Sequence, residues 1–162
     1  MNQSQYLVPR LNRVQLKSVI ENPIKLYGAK INPSLTARLV NDLHLTQDEL
    51  PVLQHALMRT WDVWRKKADA ETAIDTNDYL QTGTMEHALS QHAEEAFAEL
   101  SERQKYICEV MFKALTDKES DARGIRRPQL LKDIAMSAQA TTAEVMEVIN
   151  VFRREGRAFL TP

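Results

Sequence analysis

A single cysteine, Cys108, rules out an internal disulfide framework and a thiolate zinc site, and it fits a reducing compartment. Glycine is almost as scarce: four scattered residues leave no room for a glycine-rich phosphate loop. Aromatic residues make up only 6% of the chain. No apolar run approaches the roughly 18 residues of a membrane-spanning helix. The start, MNQSQYLVPR, has neither the basic head nor the apolar centre of a signal peptide. Excess charge is missing too. With 21 Lys and Arg against 22 Asp and Glu, the net charge of −1 gives no global pull toward nucleic acid or an anionic surface. A cytoplasmic, membrane-free protein is expected.

Helix formers are what the chain does have. In 162 residues, 43% are apolar and 27% charged, enough to bury one core or two small ones. Ala, Leu, Glu, Gln, Arg and Met abound, and no strict alternation marks a sheet protein. Tyr6-Leu7-Val8-Pro9 reads as a short extended apolar piece. Asn12 then caps a helix over Arg13–Asn22 with Leu16, Val19 and Ile20 inward, and Pro23 stops it. A connector with Gly28 follows. Asn32-Pro33 opens a helix to Leu43, with Leu35, Leu39, Val40 and Leu43 on one side.

The stretch LTQDELPVLQHALMRTWDVWRKK, Leu45–Lys67, is the most distinctive. Leu53, Leu57, Thr60, Trp61 and Trp64 recur at spacings of three and four, so this helix should anchor a core with both tryptophans of the chain. Thr46 or Asp48 is its expected cap. Pro51 falls in the first turn, where a missing N–H costs nothing.

Thr76–Leu80 forms a short turn ended by Gly83, the best place for a boundary between two lobes. Thr84 caps a helix over Met85–Leu100. Ser101 and Gln104 form a capping box for the next, whose stripe is Ile107, Val110, Met111, Ala114 and Leu115. Asp117–Gly124 is a charged loop. Leu130, Leu131 and Ile134 face the core of a further helix. Thr141 or Thr142 caps the last one, with Val145, Val148, Ile149 and Phe152 inward and Gly156 at its end. Ala158-Phe159-Leu160 reads as the first strand of a hairpin. That order resembles a helix-turn-helix with an incomplete wing, so both ends look cut from something longer.

Chemistry is sparse. His44, His55, His87 and His92 lack metal-ligand spacing, and no serine, threonine or cysteine has an activating neighbour. No catalytic and no metal residue is expected. The outward face of the last helix, Glu144, Glu147, Asn150, Arg153 and Arg154, begins acidic, which opposes docking on phosphate. Arg123, Arg126 and Arg127 form a small basic patch.

Tyr6–Leu11, LKSVIENP (Leu16–Pro23), LPVLQHALMRTW (Leu50–Trp61) and the tail Val145–Leu160 together resemble the C-terminal half of the nucleotide-binding module of STAND NTPases, the AAA+-related signal-transduction ATPases. The resemblance is to the bacterial type that precedes repeat domains. It implies the end of a core strand over 1–10, a helical lid over 11–74 and a winged helix over 84–162. In that family a GxP-like motif sets a proline against the adenine. Pro51 takes that position beside Leu50, with Glu49 where the glycine would be. The P-loop core would lie upstream and a repeat domain downstream, with ATP or ADP bound in the parent protein and a homo-oligomer as one possible assembly. The chain itself would be non-catalytic. Two other classes fit the residues less fully: a DNA-binding winged-helix regulator and a helical protein-interaction module.

Overall fold

Side-chain caps decide where several of the helices begin. The computed structural model describes residues 10–43, 49–67, 72–117, 125–157 and 159–160. Among them lie eight α-helices: α1 (Arg13–Leu26), α2 (Pro33–Leu43), α3 (Glu49–Arg65), α4 (Thr76–Gln81), α5 (Thr84–Ala98), α6 (Glu102–Leu115), α7 (Leu131–Ser137) and α8 (Thr142–Arg153). Asn12 Oδ1 accepts from Gln15 N at 2.9 Å while Gln15 Oε1 accepts from Asn12 N at 2.9 Å. Reciprocal boxes of the same kind start α4 (Asp75 and Asp78), α6 (Ser101 and Gln104) and α8 (Thr141 and Glu144). Each satisfies N–H groups that a helix start cannot satisfy itself.

The all-α class expected from composition is the class observed. One small feature was not anticipated. The flanks of the charged loop pair as an antiparallel ribbon, β1 (Thr116–Asp117) with β2 (Ile125–Arg126), Thr116 opposite Arg126. The expectations for Tyr6–Pro9, His44, Thr46, Asp48, Arg123 and Ala158 fall outside the described residues.

Two compact units divide after Leu89. In the first, Leu16, Ile20 and Ile24 of α1 meet Leu35, Leu39 and Leu43 of α2 and Leu53, Ala56 and Trp64 of α3. Two expectations for α1 need correction. Pro23 does not stop the helix, which runs on to Leu26. Its missing N–H costs one intrahelical bond, but Ile24 extends the four-residue stripe into the core. The stop comes at Gly28, φ +72°, where Gly28 N donates to Lys25 O at 3.0 Å and Ala29 N to Ile24 O at 3.1 Å. That is a Schellman ending, and it needs a residue at ease with positive φ. Val19 is 44% exposed rather than inward, because the core partners lie along the Leu16–Ile20–Ile24 line.

Tyr79 of α4 is fully buried in this unit and joins three elements. Its hydroxyl donates to Asp42 Oδ2 on α2 at 2.9 Å and accepts from Met85 N at 2.8 Å. The second bond corrects another expectation. Thr84 does not cap α5 as a side chain; it is the first helical residue, held at φ +60°, and the tyrosine serves the N–H that follows. A β-branched residue in the left-handed region is strained by about 1–2 kcal/mol. Burial, first, and the Asp42 carboxylate push the Tyr79 phenol up from 10.0 to about 12. The unfolded chain therefore releases this proton first as pH rises. Its contribution is fully present below pH 10.0 and is lost between there and about 12. Stability should fall by about 2–3 kcal/mol over that window. Urea titrations across that range check this, and Tyr79→Phe should flatten the slope.

In the second unit Ile107, Cys108 and Met111 of α6 pack with Ile134 and Ala135 of α7 and Val145, Val148 and Phe152 of α8. The expected core faces of α6 and α8 hold, except that Cys108 and Val151 are buried while Val110, Ala114, Leu115 and Ile149 are half-buried. Leu130 is not in the core: it is 60% exposed at the N-cap of α7, with no side-chain cap bond. Thr141, not Thr142, caps α8. Gly156 lies two residues beyond the C-cap Arg154, at φ +83° in a turn closed by Arg157 N donating to Arg154 O at 2.9 Å. Phe159 and Leu160 do not form the expected strand. Phe159 N donates to Phe152 O at 3.0 Å, and its ring lies 6.1 Å from that of Phe152. An aromatic side chain gains more by closing a core than as an unpaired edge.

Candidate functional site

The start of α3 is built by an anchored helix with an uncovered first turn. Leu53 and Ala56 are buried and hold the helix against the core. Leu50, 45% exposed, and Pro51, exposed, are neighbours in that first turn. Both residues singled out from the sequence are thus brought together at a helix start, with apolar surface open to solvent. The first N–H groups there have no intrahelical acceptor, and the helix dipole puts partial positive charge at the same end. Such an end favours a flat apolar group beside negative charge.

The face continues along α3 at intervals of four residues: Pro51, His55, Arg59. His55, one of the four histidines that lack metal-ligand spacing, is half-buried. Desolvation is the main reason its pKa lies below 6.5; a backbone hydrogen bond with Ala88 opposes this, and the Arg59 charge adds to the lowering. The imidazole is therefore neutral near pH 7, able to donate from one nitrogen and accept at the other. The i, i+4 spacing from Pro51 was the available signal, but spacing does not reveal burial.

Elsewhere the side chains are engaged structurally. Burial pushes the Cys108 thiol up to about 11, which leaves it a poor nucleophile. His92 is buried with its ring 5.2 Å from that of Phe159. Among the described residues no group of three or more His, Cys, Asp or Glu could hold a metal ion. No helix among them is long and apolar enough to cross a membrane.

The charged face of α8 is largely taken up by protein partners. Glu144 accepts from Thr141 N at 2.8 Å and faces Arg103 Nε at 3.4 Å. Its carboxyl is held below the usual range, first by the Thr141 backbone, then by the Thr141 hydroxyl and Arg103. Glu147 accepts from Gln104 Nε2 at 3.2 Å, and Arg154 donates to Glu99 Oε2 at 2.7 Å. Arg157 also bonds Glu99 and donates to Val151 O at 3.1 Å. These bonds tie α8 to α6 and the chain after α8 to Glu99, just beyond α5. A base-reading helix would instead present this face to a groove. Arg127 of the basic patch is exposed, while its backbone N–H is held by Leu115 O at 2.8 Å.

The family model described as Novel STAND NTPase 1 matches residues 1–160 of the chain. No curated protein and no solved structure matches it.

Proposed function

Because the chain belongs to the Novel STAND NTPase 1 family, we propose that it is a non-catalytic part of a signalling ATPase: a helical lid over 11–74 and a winged-helix domain over 84–162. Its work is to couple the ATP or ADP state of the parent protein to conformational switching and assembly. The exposed Leu50–Pro51 pair at the start of α3 is the observation that carries this reading. The proline ring offers a flat apolar surface to the base, and the N–H groups around it favour nearby negative charge. His55 and Arg59 support the same face. The P-loop and the acidic metal-binding strand belong to an upstream core domain, and a repeat domain lies downstream. The assembly works in the cytoplasm and does not read DNA. A ligand that binds one state of the parent better than the other shifts the population between them, and that difference in affinity is the whole of the switch.

Two measurements test this. The full-length parent carrying Pro51→Ala should release a fluorescent ADP analogue about 10-fold faster than the wild type, a loss of about 1.4 kcal/mol of binding. A change smaller than about twofold would remove Pro51 from the nucleotide site. The chain alone should turn over ATP no faster than a protein-free control, since chemistry needs phosphate-binding and metal-binding groups supplied by the core. Turnover above that control would sink the lid assignment.

A further inference from the structure

The groove between α1 and α3 lies further along α3 than Pro51 and takes no part in the nucleotide reading. A cavity of about 350 Å³ opens there, walled by Ile20, Pro23, Ile24, Leu57 and Trp61. Its apolar surface runs outward. Val19 and Tyr27 belong to the wall, and Tyr27 is 80% exposed with its ring 5.7 Å from that of Trp61. Leu26, the last residue of α1, is 86% exposed beside them. Singly exposed apolar residues need no explanation, but a rim of them around a concavity marks a recognition surface.

The charged side chain in the wall of the groove is a cation. Arg65 is part of the wall, exposed, and forms no ion pair among the described residues. Lys30 and Lys66, next in sequence to the wall residues Ile31 and Arg65, are exposed and unpaired in the same sense. Among the described residues no carboxylate lines the cavity. Glu21 on α1 is already held by Lys17 at 3.8 Å and Lys25 at 3.1 Å, Asp75 beside Ile74 faces Lys67 at 3.9 Å, and Asp62 lies beside Trp61 without lining the groove. An apolar trough with an unneutralised arginine in its wall complements a ligand that is apolar and acidic at once. The exposed rim at Leu26 and Tyr27 reaches beyond the cavity itself, so a small molecule filling the cavity would leave it uncovered. A chain segment would cover both.

We infer that the α1–α3 groove is a docking site for an acidic amphipathic peptide segment of a partner protein. Bulky apolar side chains of the segment fill the trough against Trp61 and Tyr27, and a carboxylate meets Arg65. This is the helix-in-groove mode of recognition, in which anchors recur at three- and four-residue spacing. The aromatic pair supplies most of the contact area, and the cation supplies orientation and selectivity against basic segments.

The probe is a library of random dodecapeptides displayed on phage and panned on the intact chain. Enriched peptides should carry two bulky apolar residues three or four apart with at least one Asp or Glu. Their affinity is then measured by fluorescence anisotropy. Arg65→Glu and Tyr27→Ser should each raise Kd about 10-fold, while Arg65→Lys should change it by less than about threefold. Both positions are exposed, so far-UV circular dichroism and the unfolding midpoint should not move. Absence of enrichment, enriched peptides without acidic residues, or affinity indifferent to Arg65→Glu and Tyr27→Ser would each overturn the proposal. A concentration-dependent dimer in sedimentation that Tyr27→Ser abolishes would also overturn it, by giving the groove to a second copy of the chain.

Discussion

Replacing Trp64 by alanine should destabilise the first unit by about 3–5 kcal/mol. The indole is 7% exposed, and its ring lies 4.9 Å from that of Trp61. Its N–H donates to Thr72 O at 2.8 Å, which pins the end of α3 to the chain entering α4. Truncation deletes the apolar area, leaves an apolar void that water does not repay, and removes that donor. Trp64→Phe keeps much of the area and loses only the N–H, so it should cost about 1–2 kcal/mol. Urea unfolding followed by tryptophan fluorescence reads both variants, because Trp61 remains as the reporter. A loss below about 1 kcal/mol for the alanine variant would mean that the end of α3 is not packed as described.

A comparable loss is expected in the second unit from Phe152→Ala, again about 3–5 kcal/mol. The ring is 2% exposed on α8 and sits edge-on to Phe112 of α6 at 5.0 Å. Phe159 packs on it as well and donates its N–H to the Phe152 carbonyl. Removing the ring therefore loosens two helices and the chain after α8 together. The two probes separate the units. Both tryptophans, Trp61 and Trp64, lie in the first unit, so their fluorescence follows that unit, while far-UV circular dichroism follows the helices of both. Phe152→Ala should lower the dichroism midpoint. An unchanged dichroism transition would show that Phe152 does not carry the α6–α8 contact.

The exposure of Leu50 and Pro51 at the start of α3 was legible for a local reason. A proline in the first turn and a strong stripe after it are read within one helix, and those same facts leave Leu50 and Pro51 outside the core. His55 was not legible in the same way. Its neutral state comes from desolvation and from the backbone of Ala88, a residue far along the chain. The α1–α3 groove was hidden for the same reason, since Tyr27, Trp61 and Ile74 come from separate segments. Membership of the Novel STAND NTPase 1 family rests on the match over 1–160, and the resemblance of LPVLQHALMRTW pointed there first.

What the sequence determined by itself is what acts within about four residues. Asn12 with Gln15, Ser101 with Gln104 and Thr141 with Glu144 each close a box inside one turn. The stripe of α2 repeats with the helix period, so its core face followed directly. Tertiary structure decided the rest. Periodicity names a face but not its cover, so Val19 and Leu130 read as core and are exposed. Pro23 reads as a stop until Ile24 has a core to enter and Gly28 a turn to make. Thr84 reads as a cap until a tyrosine hydroxyl takes its place. That hydroxyl also binds Asp42, 37 residues away, and a bond of that reach exists only once the helices have packed.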